Sequence, residues 1–172
     1  MKLRLEGRAR VLGDDVNTDY IITSARKRVT IDPHVLARYL LETVDPGFAA
    51  SVQPGDILVA GRNFGCGSAM EVAVTVPRAA GITAVVARSF ARTYYRNAIN
   101  NGLIPVECDT ARIREGDALV IEMGDRLTVT DVTQGMSIGA ASFPAPMLRL
   151  LLAGGLVPYM REHGGFGVEE VR

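Results

Sequence analysis

The chain has 172 residues, 48% of them hydrophobic, and its 19 Lys+Arg are matched by 19 Asp+Glu, so the formal charge is zero. That length and apolar share predict one domain with a full core, and the balanced charge argues against a general nucleic-acid binder, which carries an excess of basic side chains. No apolar run approaches the ~20 residues a membrane helix requires, and Met1 to Glu6 lead into no signal-peptide core, so a soluble cytoplasmic protein without nucleic-acid or membrane partners is expected.

In chain order, residues 2–12 alternate charged and apolar side chains as a half-exposed strand does, with Gly7 as a bulge candidate. Gly13-Asp14-Asp15 turns the chain, and Thr18-Asp19 precede the apolar pair Ile21-Ile22. Ser24 to Thr30 reads as a basic loop holding Arg26, Lys27 and Arg28. A solvated face is the default for such a run, although an arginine fork also suits a carboxylate. Asp32-Pro33-His34 opens a helix expected to reach Thr43. His34 and His163 belong to no nucleophile or metal motif.

Ile57 to Ala60 is an apolar run bounded by Gly55 and Gly61, the pattern of a buried strand. The chain must then turn through Gly65 and Gly67, which accept left-handed backbone and leave N–H groups free to face an anion. Ser68 and Glu71 have capping-box spacing, so a helix is predicted from Ser68 to Ala80, disturbed by Pro77 and stopped by Gly81. A strand over 82–87, a helix over 89–100 capped by Ser89, and a strand over 103–106 complete a parallel crossover pattern. Short strands over 116–121, 126–131 and 137–140 then suggest an antiparallel or barrel-like sheet, followed by a helix near 145–153. One α/β domain over 1–161, a barrel-like sheet flanked by helices, is predicted, with a loosely held tail over 162–172.

Two readings are open at Ser68. It is a helix N-cap, a common structural device, or a serine whose developing charge is stabilised by the helix dipole and neighbouring N–H groups. Cys66 and Cys108, 42 positions apart, form no disulfide framework and no zinc or iron–sulfur spacing, so the chain offers no metal ligand set of its own. Cys108 reads as a small buried hydrophobe at a strand end.

Four stretches carry a resemblance to a known family: Gly61-Arg62-Asn63-Phe64-Gly65-Cys66-Gly67-Ser68, Ala87 to Arg92 with Tyr95 to Leu103, Gly13 to Ile22, and Ala153 to Val157. Together they resemble the small subunits of 3-isopropylmalate dehydratase and, more widely, the swivelling domain of the aconitase superfamily, over about residues 5 to 160. The resemblance implies a swivelling β/β/α domain and a two-subunit hydro-lyase of leucine biosynthesis. Its substrate would be a 2-hydroxy dicarboxylic acid, first of all 3-isopropylmalate, and its large subunit would hold a [4Fe–4S] cluster. It further implies Ser68 as proton-abstracting base and Asp19 as its catalytic companion, with Arg28, Arg26, Gly67, Met70 and Cys66 lining the substrate and Cys66 not a cluster ligand. Family members commonly read Gly-Ser-Ser-Arg-Glu-His-Ala where this chain has Gly67-Ser68-Ala69-Met70-Glu71-Val72-Ala73. Met70 thus replaces an arginine that would hold a carboxylate, which leaves open another substituted malate, a homoaconitate-type acid, or a non-catalytic subunit. Arg28 is the expected compensating cation.

Overall fold

Residues 3–124 and 126–165 are described in the structure, a computed structural model. Two apolar tetrads become strands β2 (Ile57–Ala60) and β3 (Ala84–Ala87), and three apolar residues with Glu107 become β4 (Ile104–Glu107). All eight residues of β2 and β3 are buried, because layers cover both faces of this part of the sheet, and a strand so placed reads as a continuous apolar run. The three pair in parallel, and β1 (Leu3–Val11) adds to β2 in the same sense. Helices α5 (Val72–Ala79) and α6 (Arg92–Asn100) form the crossovers.

The far edge of β1 pairs antiparallel with β5 (Ala118–Met123), followed by β6 (Leu127–Asp131) and β7 (Met136–Ala140). Here burial alternates: Leu127, Val129 and Asp131 are buried while Thr128 and Thr130 are half-buried, the signature of a sheet covered on one face. The seven strands run in the order β4-β3-β2-β1-β5-β6-β7. The two outer strands meet at one end, where Cys108 bridges Ala140 and the Ala141 N–H donates to the Glu107 carbonyl at 3.0 Å. The sheet therefore curls into a half-barrel.

Alternate residues of β2 serve two cores. Ile57 and Val59 face the inside of the curl with Val86, Ile121 and Val129, closed by Leu151 of α7 (Ala145–Leu152). Leu58 and Ala60 face the opposite layer, which holds α5, α1 (Thr18–Ile21) and α3 (Pro33–Leu36).

Several local expectations are corrected. Strand β1 passes Gly7 without a bulge, in register with Leu119. The basic loop is a helix, α2 (Ser24–Val29), because the Thr23 hydroxyl accepts from the Arg26 N–H at 3.3 Å and caps it. The helix begun at Pro33 ends at Leu36 and gives way to one 3₁₀ turn, Ala37–Tyr39. Leu40 and Leu41 are both drawn fully into the core, with Leu41 at φ 56° and its N–H on the Ile21 carbonyl. A further short helix, α4 (Phe48–Ser51), precedes β2. Ser89 does not cap α6, which starts at Arg92; its hydroxyl accepts from the Asn63 N–H at 2.8 Å. Of the tail expected over 162–172, residues 162 and 163 belong to α8 (Leu156–His163), and residues 166–172 lie outside the described residues.

Candidate active site

Behind the C-terminal end of β2, residues 61–70 form an extended turn stitched to residues 13–18. The Gly65 N–H donates to the Val16 carbonyl at 2.8 Å and the Thr18 N–H to the Cys66 carbonyl at 2.9 Å. Gly65 and Gly67 have φ of 78° and 92°. A Cβ on Gly65 would lie 2.1 Å from the Tyr94 ring and one on Gly67 2.4 Å from the Asn17 side chain, so close approach as well as backbone conformation requires glycine at both. Next comes Ser68, whose carbonyl accepts from the buried Thr18 hydroxyl at 2.8 Å. Its own hydroxyl is exposed and bonds to no described residue.

The predicted capping box does not form. Helix α5 begins at Val72, Glu71 is its N-cap, and no side chain caps it. The reason is tertiary: Thr18 holds the Ser68 carbonyl, and Met70, 3% exposed, is drawn into the outer core. Residues 68–70 therefore stay outside the helix.

Asp19 lies on α1, which Asn17 caps by accepting the Asp19 N–H at 2.9 Å. One oxygen of Asp19, Oδ1, accepts from both the hydroxyl (2.7 Å) and the N–H (2.8 Å) of Ser24. These two bonds, with Lys27 and Arg28 nearby, hold its carboxyl below the ordinary 3.8. The Ser24 hydroxyl in turn lies 4.0 Å from the Met70 sulfur. Asp19, Ser24 and Met70 thus form one line from α1 through α2 to the segment that carries Ser68.

The three cations of α2 separate by role. Arg26 is engaged: its fork meets both oxygens of Glu42 at 2.9 and 3.1 Å, and its guanidinium lies 3.8 Å from the Tyr39 ring centroid. Arg28 is exposed and holds only a 3.4 Å bond from Nε to the Ser24 carbonyl. Lys27 lines a depression of about 500 Å³ whose walls include Ile31, Pro33, Met70 and Val72. Beyond the Ala69–Met70 ridge lies a smaller cavity of about 70 Å³ lined by Gly67, Ser68 and residues of α6.

Cys66 lies in the turn, half-buried, bridged through its backbone to Asn17. Cys108 is remote from it at the end of β4, where burial pushes its thiol up to about 12. Among the described residues no three His, Cys, Asp or Glu gather to hold a metal, so the described side chains offer a cluster no ligand set. His34 is exposed on α3, and His163 stacks on Tyr159 at the end of α8. Sequence reasoning assigned no role to Asn17, Thr18 or Tyr94, which fix the turn. The Asn-Thr-Asp spacing is an N-cap signal that could have identified Asn17, whereas nothing local marks Tyr94.

Residues 24–111 match the aconitase C-terminal domain family. The chain is 47% identical over 158 residues to the 3-isopropylmalate dehydratase small subunit of Moorella thermoacetica, covering 91% of this chain and 94% of that protein. It is 42% identical over 158 residues to the methanogen homoaconitase small subunit of Methanocaldococcus jannaschii, covering 92% of each. A crystal structure of 3-isopropylmalate dehydratase from Methanocaldococcus jannaschii superposes with a TM-score of 0.87 at 41% identity, covering 94% of this chain and 96% of that one. No helix among the described residues is long and apolar enough to cross a membrane. With this turn, this half-barrel and identities above 40% across nine-tenths of its length, the chain belongs to the 3-isopropylmalate dehydratase small-subunit family of the aconitase C-terminal domain.

Proposed function

We propose that this chain is the small subunit of a cytoplasmic two-subunit hydro-lyase that dehydrates a 2-hydroxy dicarboxylic acid and rehydrates the enoate, with 3-isopropylmalate as substrate. The observation that carries it is the exposed Ser68 hydroxyl, which bonds to no described residue and lines a small cavity separated by Ala69 and Met70 from a depression walled by Ile31, Pro33 and Val72. The serine would exchange the proton on the carbon next to the one that bears the hydroxyl, and the apolar walls suit a branched alkyl group. The N–H groups of Gly67, Ser68 and Ala69 donate to no described residue, so they are available to stabilise the ionised serine. Asp19 acts at one remove, holding Ser24 and through it the position of Met70. Of the expected carboxylate readers, Arg28 is the open one and Arg26 is held by Glu42. Gly67 lines the small cavity with Ser68, and Cys66 precedes it in the turn.

The partner would be a large subunit whose [4Fe–4S] cluster would supply a Lewis acid. Val29 and Ile31, 85% and 74% exposed beside the depression, are apolar surface that such a partner would cover. A second reading, a homoaconitate-type substrate, draws on Lys27 in the depression, where a further carboxylate would find a cation, and on the homoaconitase relative. The reconstituted pair, supplied in turn with 3-isopropylmalate, citramalate and homocitrate, tests the proposal. Preferred turnover of 3-isopropylmalate is expected; preference for homocitrate selects the second reading, and no turnover of any of them leaves a non-catalytic subunit.

A further inference from the structure

We infer that Arg92, with Thr93 and Asn97 of α6, forms a carboxylate subsite facing Ser68 from the side opposite α2. This rests on the hydro-lyase reading above and names the group that holds one end of its substrate. The three side chains line the same small cavity as Gly67 and Ser68. None of them makes a hydrogen bond or ion pair with a described residue. Most arginines near the parallel strand ends are engaged: Arg8 and Arg10 on Asp56, Arg26 on Glu42, Arg62 on Asp14, and Arg88 near Asp109. Arg92 is a cation without a carboxylate, next to a hydroxyl, an amide and the Ser68 hydroxyl that are also unpaired.

The chemistry of that set selects its ligand. An arginine fork donates two parallel bonds to a planar carboxylate, and the Asn97 amide and Thr93 hydroxyl supply further donors for the same oxygens. At about 70 Å³ against about 500 Å³ for the depression beyond Met70, the cavity accommodates an end group rather than a whole diacid. The two spaces share only the Ala69–Met70 ridge. A substrate lying across that ridge puts a carboxylate on Arg92, its alkyl substituent over Met70 and the carbon between them at Ser68. Met70 in place of an arginine is then consistent with a diacid whose carboxylate is bound from α6.

The test uses the reconstituted two-subunit enzyme carrying Arg92→Ala or Arg92→Lys, assayed with 3-isopropylmalate and each of its two monomethyl esters. Because Arg92 is exposed and bonds to no described residue, both variants are expected to fold. Arg92→Ala is expected to lower kcat/KM for the diacid at least ~10-fold and to abolish the wild-type preference for the diacid over one of the two esters, while Arg92→Lys restores part of both. An unchanged ester preference overturns the subsite. So does failure of Arg92→Ala to assemble while its circular dichroism stays native, since Arg92 would then belong to the subunit interface. If the wild-type pair turns over no substituted malate, the hydro-lyase reading fails separately, and calorimetric titration of the same complexes with malate decides the subsite. At least ~10-fold weaker binding by Arg92→Ala sustains it; equal affinity, or no binding by the wild type, overturns it.

Discussion

The hydroxyl of Tyr94 donates to the carbonyl of Ala73 across 3.2 Å. In an unbroken helix that carbonyl would receive the N–H of position 77, where this chain has Pro77 and no N–H to give. Tyr94 is fully buried among Phe64 and Phe90, and burial pushes its phenol well above its ordinary value. The same ring fills the space over Gly65. One side chain therefore holds both ends of segment 65–73, which carries Ser68.

Tyr94→Phe is expected to destabilise the chain by about 1–3 kcal/mol, the cost of leaving a buried carbonyl without a donor. Pro77→Ala returns the missing N–H. In that background the same Tyr94→Phe change should cost about 1 kcal/mol less, a coupling that a double-mutant cycle of urea denaturations measures directly. Strict additivity would mean that the hydroxyl does not replace the proline's absent donor.

Ser68→Ala is expected to change stability by no more than ~0.5 kcal/mol, as for an exposed side chain outside any cap or network. Turnover of the reconstituted enzyme should nevertheless be largely lost. A capping role would show the reverse, a drop of about 1 kcal/mol with activity per folded molecule retained.

Met70→Arg puts a guanidinium into a site 3% exposed, beside the Ser24 hydroxyl. We expect kcat/KM for 3-isopropylmalate to fall at least ~10-fold, with a lower Tm as the side chain is forced outward. Arg28→Ala, on an exposed side chain, should leave Tm unchanged and lower kcat/KM. Higher activity in Met70→Arg together with no effect of Arg28→Ala would remove Arg28 from the substrate site.

Asp56 is 2% exposed and receives Arg8 at 2.8 and 3.2 Å, Arg10 at 3.3 Å and the Gln53 N–H at 3.0 Å. Burial pushes its carboxyl up, but these donors together outweigh it and hold it below 3.8. A folded value below the unfolded one means that Asp56 contributes stability above the unfolded value and loses it as pH falls through the folded one. Asp56→Asn should therefore destabilise the protein by about 3 kcal/mol at neutral pH, because the buried Arg10 would keep only the largely exposed Glu115, at 2.9 Å, as an ionic partner. Denaturation at successive pH values should show the gap between variant and wild type narrowing below 3.8.

The parallel layer was readable because its strands are buried on both faces, so Ile57–Ala60, between Gly55 and Gly61, and Ala84–Ala87, after Gly81, appear as unbroken apolar runs. Glycines at 65 and 67 likewise announced a sharp turn ahead of Ser68. Local spacing failed where a distant partner competed. Ser68 and Glu71 satisfy the capping-box pattern, yet Thr18, fifty positions upstream, takes the Ser68 carbonyl. The run Arg26-Lys27-Arg28 reads as three equal cations, and only folding binds Arg26 to Glu42 and leaves Arg28 open.

Residue type and periodicity alone determine this protein's α/β class, its strand-turn segment and its family motifs, because these depend on near neighbours along the chain. The start of α5, the burial of Met70, the clamp of Tyr94 on Ala73 and the placing of Arg92 and Ser68 on one cavity were decided by tertiary structure. Each joins residues with no local signal for one another, and each satisfies or exposes a polar group according to which distant element arrives beside it.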